Sequence, residues 1–164
     1  MGYTTEFTGA FALSHPLTVA QYNYLKKFAQ TRRVTRDAQK SASLDDELRV
    51  EVGLPIGQDG EYYVGAGGFM GQYQDSSVVD WDSPPGEQPG LWCQWEPSIC
   101  GKYIQWDGGE KFYHYVEWIE YIIKHFLEPW GVSLNGSVGW QGEDRKDVGI
   151  IKIENNKVTV SGDV

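Results

Sequence analysis

The chain has only two cysteines, no apolar run that approaches a membrane span, and a shortage of positive charge. Each shortage removes a class of protein. Cys93 and Cys100 flank a short turn, neither has a Cys or His at zinc-ligand spacing, and Met1–Phe11 lacks a basic stretch leading into an apolar one. A disulfide scaffold and a structural zinc site are therefore not expected, and the reducing cytoplasm is the expected location. A spanning helix needs roughly 18 or more consecutive apolar residues, so no membrane partner is expected. With 14 Lys and Arg against 23 Asp and Glu, the net charge of −9 disfavours generic binding to nucleic acid or anionic lipid. The P-loop, G-x-S-x-G, H-E-x-x-H and C-x-x-C patterns are also missing. The common nucleotide-hydrolysing and zinc-hydrolase classes lose their usual support, and no metal or cofactor is called for.

The 164 residues, 40% apolar and 23% charged, suit one globular domain over 1–164. Phe7, Phe11 and Leu13 alternate with Glu6, Thr8 and Ala12, the period of a strand with one buried face. Thr18-Val19-Ala20-Gln21 is a capping box, and a helix is predicted from there to about Thr31. A short helix is expected around Leu44–Val52. Residues 53–90 hold nine Gly and four Pro, which predicts a long loop with at most a short strand at Glu61–Val64. Such a loop is either a lid or a packed excursion pinned by Phe69, Met70, Tyr73 and Trp81. Leu91–Glu96 and Lys102–Trp106 read as a hairpin.

Asp107-Gly108-Gly109-Glu110 has the form of a second capping box, opening a helix whose Phe112, Val116, Ile119, Ile122, Ile123 and Phe126 recur at helical spacing up to Pro129. Two or three antiparallel strands follow, over Val132–Gln141, Val148–Glu154 and Lys157–Val160, the last two joined at Asn155-Asn156. The predicted class is α+β: a mainly antiparallel sheet with two principal helices, about 18–31 and 108–128, packed on one face.

Three groups of residues could carry function. Seven Trp and ten Tyr exceed what a core of this size needs, so some should line a surface or pocket. Trp92, Gln94, Trp95, Trp106 and Tyr113, with Trp140, Gln141 and Glu143 on a later strand, place aromatic faces beside amides and carboxylates. That set suits a flat, polar, nucleotide-like ligand, or equally a core of indoles bonded to Gln and Glu. Residues 26–40 carry six Lys and Arg against one Asp, and Arg32, Arg33 and Arg36 could grip an anion or could simply line a solvated helix end. If the protein is an enzyme, Glu96, Asp107, Glu110 and His114 are its acid–base candidates, although no nucleophile accompanies them. Gly65–Gly71 departs from the G-x-G-x-x-G phosphate loop at Met70 and precedes no helical pattern.

Gly90-Leu91-Trp92-Cys93-Gln94-Trp95, the segment from Trp106 to Tyr113, Leu134-Asn135-Gly136, the segment from Trp140 to Asp144 and the opening Met1–Phe7 resemble a family of small uncharacterised single-domain proteins of bacteria and bacteriophages. The resemblance covers nearly the whole chain and brings no catalytic residue with it. It implies a source type in which small acidic proteins act as counter-defence inhibitors or sponges, an analogy of context. The expected function is thus a non-catalytic binding protein for a nucleotide-like ligand or a host protein. The alternatives are a small acid–base hydrolase and a structural or assembly protein whose aromatic surface joins copies into a homo-oligomer.

Overall fold

Alternation in β1 (Glu6–Leu13) sends Phe7, Phe11 and Leu13 to one face and leaves Glu6, Thr8 and Ala12 exposed on the other. In the computed structural model, which describes residues 2–65 and 75–162, the chain is α+β and divides into two units, Met1–Leu17 with Gln94–Val164, and Thr18–Cys93.

The first unit is a six-stranded antiparallel sheet in the order β4-β5-β1-β6-β7-β8, with β4 at Trp95–Pro97, β5 at Tyr103–Trp106, β6 at Leu134–Gln141, β7 at Val148–Glu154 and β8 at Lys157–Gly162. Register keeps the apolar faces together: Phe7 lies opposite Trp140, Leu13 opposite Leu134, and Val138 opposite Ile151. A slip of one residue would turn all of these toward solvent, so burial of this face fixes the pairing. The hairpin β7–β8 turns at Asn155 and Asn156, whose φ values of 51° and 70° are those of a two-residue I′ turn. Asn156 also ties the turn to the start of β6. Its Oδ1 accepts the Leu134 N–H at 2.6 Å and its Nδ2 donates to the Val132 carbonyl at 3.2 Å.

The helix predicted over 108–128 is shorter and less regular. α4 spans Tyr115–Ile122 and continues as a π-turn through Ile123–Leu127, burying Trp118, Ile119, Ile122, Phe126 and Leu127. Asp107 does not cap it. Its Oδ1 accepts the Gly109 N–H at 2.7 Å, and Gly108, Lys111 and His114 take positive φ, which no helix tolerates. The cause is tertiary. Phe112 inserts against Phe7 and Trp95 at ring distances of 5.8 and 5.4 Å, while Trp106 Nε1 and Gln94 Nε2 donate to the Gly109 and Glu110 carbonyls that a helix would use.

In the second unit, α1 (Val19–Gln30) opens on the predicted capping box: the Gln21 N–H donates to Thr18 Oγ1 at 3.1 Å and the Thr18 N–H to Gln21 Oε1 at 3.0 Å. β2 (Thr35–Arg36) pairs antiparallel with β3 (Val78–Asp80), and α2 (Ala38–Ala42) and α3 (Glu47–Glu51) lie between them in sequence. Glu61–Val64, expected as a short strand, is irregular because side chains take its backbone groups. Arg33 Nη2 donates to the Glu61 and Tyr63 carbonyls, and Asp46 Oδ1 accepts the Val64 N–H. In the described parts of loop 53–90, Tyr63, Val64 and Gln88 are buried, while residues such as Asp59, Val79 and Asp82 are exposed. Phe69, Met70, Tyr73 and the glycine run beyond Gly65 lie outside the described residues.

Asn156→Ala should lower stability by about 2–3 kcal/mol, from two lost hydrogen bonds and a left-handed backbone without Asn. Asn155→Gly should change it by less than about 0.5 kcal/mol, because Gly is at ease in this turn. Equilibrium urea unfolding of the two variants checks the contrast.

Candidate functional site

Two of the indoles read from sequence as ligand contacts, Trp95 and Trp140, are core side chains. Trp95, 1% exposed, packs on Phe7 at 5.3 Å and donates its N–H to the Tyr115 carbonyl at 2.8 Å. Trp140 is 4% exposed, packs on Tyr115 at 5.8 Å, and donates to Asp147 Oδ1 at 2.9 Å. Half-buried Trp106 donates to Gln94 Oε1 at 3.3 Å and to the Gly109 carbonyl at 3.2 Å. Buried indole N–H groups require such partners, and the Gln and Asp residues of the pattern supply them. Trp95 therefore forms no open stacking face, and Trp140 shows only a small part of its ring. Trp92 is half-buried, lies ahead of β4, and belongs to the second unit.

What the first unit does offer is a pocket of about 180 Å³ beside the first turn of α4, lined by His114, Tyr115, Val116, Glu117, Trp140 and Val160. His114 sits at the helix entry with φ of 57°, and its Nδ1 is 3.4 Å from Glu117 Oε2, both side chains being about half exposed. Burial pushes the Tyr115 hydroxyl up to about 12, and Asp147, Tyr3 and Glu117 add to the shift. The hydroxyl therefore stays protonated across the physiological range.

A hydrogen-bonded frame stands behind this pocket. Asp147 accepts from Trp140 through one oxygen and from the Tyr3 hydroxyl through the other at 2.7 Å, and that hydroxyl accepts the Asp144 N–H at 3.0 Å. Tyr113, Gln141 and Glu143, read from sequence as ligand contacts, complete the frame. The Tyr113 hydroxyl accepts the Tyr3 N–H, Glu143 accepts the Thr4 N–H, and Gln141 Nε2 donates to the Gly142 and Asp144 carbonyls. Gly149, opposite Trp140, leaves the space that the indole occupies; a Cβ there would collide with the ring.

The acid–base candidates are not brought together into one catalytic arrangement. Glu96 is half-buried on β4 opposite Gln105, Asp107 forms the local turn to Gly109, and Glu110 is exposed. Of the four, only His114 lines the pocket. Among the described residues, no group of three His, Cys, Asp or Glu side chains could hold a metal ion.

In the second unit, Arg32, Arg33 and Arg36 are engaged with the chain itself instead of presenting a joint anion site. Arg33, 2% exposed, donates to Gln88 Oε1 and two carbonyls while lying 4.2 Å over the Phe28 ring. Arg36 pairs with Asp75 at 3.1 Å, donates to Ser77 Oγ at 2.8 Å, and covers the Tyr63 ring at 4.4 Å. Arg32 covers Trp81 at 4.7 Å and reaches Asp82 at 3.3 Å.

Sequence reasoning passed over Asp46, which is buried, accepts the Val64 and Gly65 N–H groups at 3.1 and 2.8 Å, and pairs with Arg49 at 2.6 Å. Its only trace in the sequence is the run Asp45-Asp46-Glu47, which looks like a solvated helix start. Around it, Asp45, Glu47, Glu51, Leu44 and Val50 line an open depression of about 490 Å³.

No family model, curated protein or solved structure matches this chain.

Burial works to raise the Asp75 carboxyl, but hydrogen bonds from Ser77 and Arg36 outweigh it and hold the group below the usual carboxylate range. A depressed carboxylate stabilises the fold above its ordinary pKa of about 4, and that stability is lost as pH falls through the folded value. Asp75→Asn should therefore be less stable than the parent at pH 7 and converge toward it as pH falls through the folded value, below the ordinary carboxylate range, as read by urea midpoints across pH. Gly149→Ala should cost about 1–3 kcal/mol by displacing Trp140, with a change in near-ultraviolet circular dichroism.

Proposed function

We propose that this chain is a non-catalytic binding protein that takes one planar heterocycle, the base of a nucleoside, into the pocket beside α4. The observation that carries this reading is the character of the pocket wall. Tyr115, Trp140, Val116 and Val160 supply apolar and aromatic surface, His114 and Glu117 supply a polar rim, and no Lys or Arg is among the lining residues. A volume of about 180 Å³ suits a single ring system, being below the roughly 300–1,000 Å³ typical of drug-sized ligands. The Glu117 carboxylate can accept from an exocyclic amine and the His114 ring can meet a ring nitrogen. With no Lys or Arg in the lining and the Glu117 carboxylate at the rim, a phosphate would meet repulsion instead of a clamp.

Titration of adenosine, cytidine and guanosine, each beside its 5′-monophosphate, tests the assignment by calorimetry. At least one nucleoside should saturate, with its monophosphate about fivefold weaker or worse. Glu117→Gln and His114→Asn should each weaken binding by about fivefold at unchanged melting temperature, since both side chains are half exposed and Asn accepts the left-handed backbone at 114. The reading fails if no nucleoside saturates, if the monophosphates bind more tightly, or if both variants bind like the parent.

A further inference from the structure

The two edges of the six-stranded sheet differ. β4 is three residues long and ends at Pro97, which cannot donate to an added strand, whereas β8 runs six residues with no Pro and unbroken register to β7. All of β8 is exposed or half-buried, and among the described residues it is paired on one side only. The two-residue turn decides which of its backbone groups point outward. In such a hairpin the flanking pair, Glu154 and Lys157, exchanges both hydrogen bonds, so Lys157, Thr159 and Ser161 bond to β7. Val158, Val160 and Gly162 then direct their N–H and C=O groups away from the sheet.

We infer that β8 is the seam of a two-fold dimer, pairing antiparallel with β8 of a second copy around Val160. Three outward positions spaced by two and centred on Val160 are self-complementary. Val160 meets the partner's Val160, each Val158 meets the partner's Gly162, and about six backbone hydrogen bonds form with no outward group left over. Centring on Thr159 instead would satisfy only about four. The chosen register also sets Thr159 beside the partner's Ser161, a hydroxyl pair, and keeps each Lys157 outside the paired span, away from its twin.

Charge favours this edge for self-association. The chain carries −9, but the hairpin's charged residues are only Lys152, Glu154 and Lys157, so this edge adds little to the repulsion between copies. Half-exposed Val160 supplies apolar surface at the seam itself. One strand edge buries less than the roughly 1,200 Å² of a standard interface, so the dimer should form in the micromolar range. Because Val160 lines the pocket, the second copy would also lie beside it. The dimer does not depend on what the pocket holds.

Sedimentation velocity of the full chain from about 5 to about 500 μM tests the inference, with folding checked by circular dichroism. The weight-average mass should rise from 18.5 kDa toward twice that value as concentration increases. Val160→Pro removes an outward N–H without touching the bonds to β7, and Val160→Lys sets two ammonium groups opposite each other; both should stay monomeric throughout. An equimolar mixture of Val160→Lys and Val160→Glu should restore the dimer, which also covers the case in which the proline variant fails to fold. A parent chain at 18.5 kDa over the whole range, or dimerisation by the lysine variant equal to the parent's, would overturn the proposal.

Discussion

The packing around Phe7 organises the first unit. Its ring, at the middle of the covered sheet face, lies within 5.0–5.8 Å of Tyr115, Trp95, Trp106 and Phe112, so one side chain of β1 meets β4, β5, the irregular segment before α4 and α4 itself. To bring Phe112 into this cluster the chain cannot be helical between 108 and 114. It passes instead through left-handed residues at Gly108, Lys111 and His114. That detour sets His114 at the mouth of the pocket with Glu117 one turn on. The candidate site is thus a by-product of how the aromatic core is closed.

The second unit rests on a different balance. Its interior holds Arg33, Arg36, Asp46 and Lys27, a costly set of groups to bury. Lys27 shows the cost directly, its ammonium held below the usual range by burial, with Asp46 opposing the shift. The other charged groups replace the ladder bonds that the loop lacks: Arg33 takes carbonyls of residues 61 and 63, and Asp46 takes the N–H groups of residues 64 and 65. In effect, buried ions perform the work of a strand partner for residues 61–65.

The aromatic residues show where reading a sequence stops. Trp95, Trp106 and Trp140 were identifiable as a set that must find hydrogen-bond partners, and their partners include the Gln94 beside them and an Asp seven residues after Trp140. Whether such a set is an open surface or a core depends on which elements cover it, and covering is a long-range property. Likewise, Arg32, Arg33 and Arg36 look alike in one dimension. Their roles diverge because Arg33 and Arg36 face the unit's interior while Arg32 lies against Trp81 near its surface.

Local signals were sufficient wherever the deciding interaction spans a few residues. The Thr18–Gln21 capping box, the alternation in β1, β6 and β7, and the Asn155-Asn156 turn all act within one turn of helix or one hairpin, and the chain adopts them as read. Asp107-Gly108-Gly109-Glu110 carries an equally good local signal and forms no helix cap, because burying Phe112 against Phe7, Trp95 and Tyr115 outweighs a cap of about 1 kcal/mol. Sequence alone determined the α+β class and the elements that such local signals mark. Only the tertiary structure decided where α4 begins, which indoles are buried and where a pocket remains, since those outcomes turn on contacts between residues as far apart as Phe7 and Trp140.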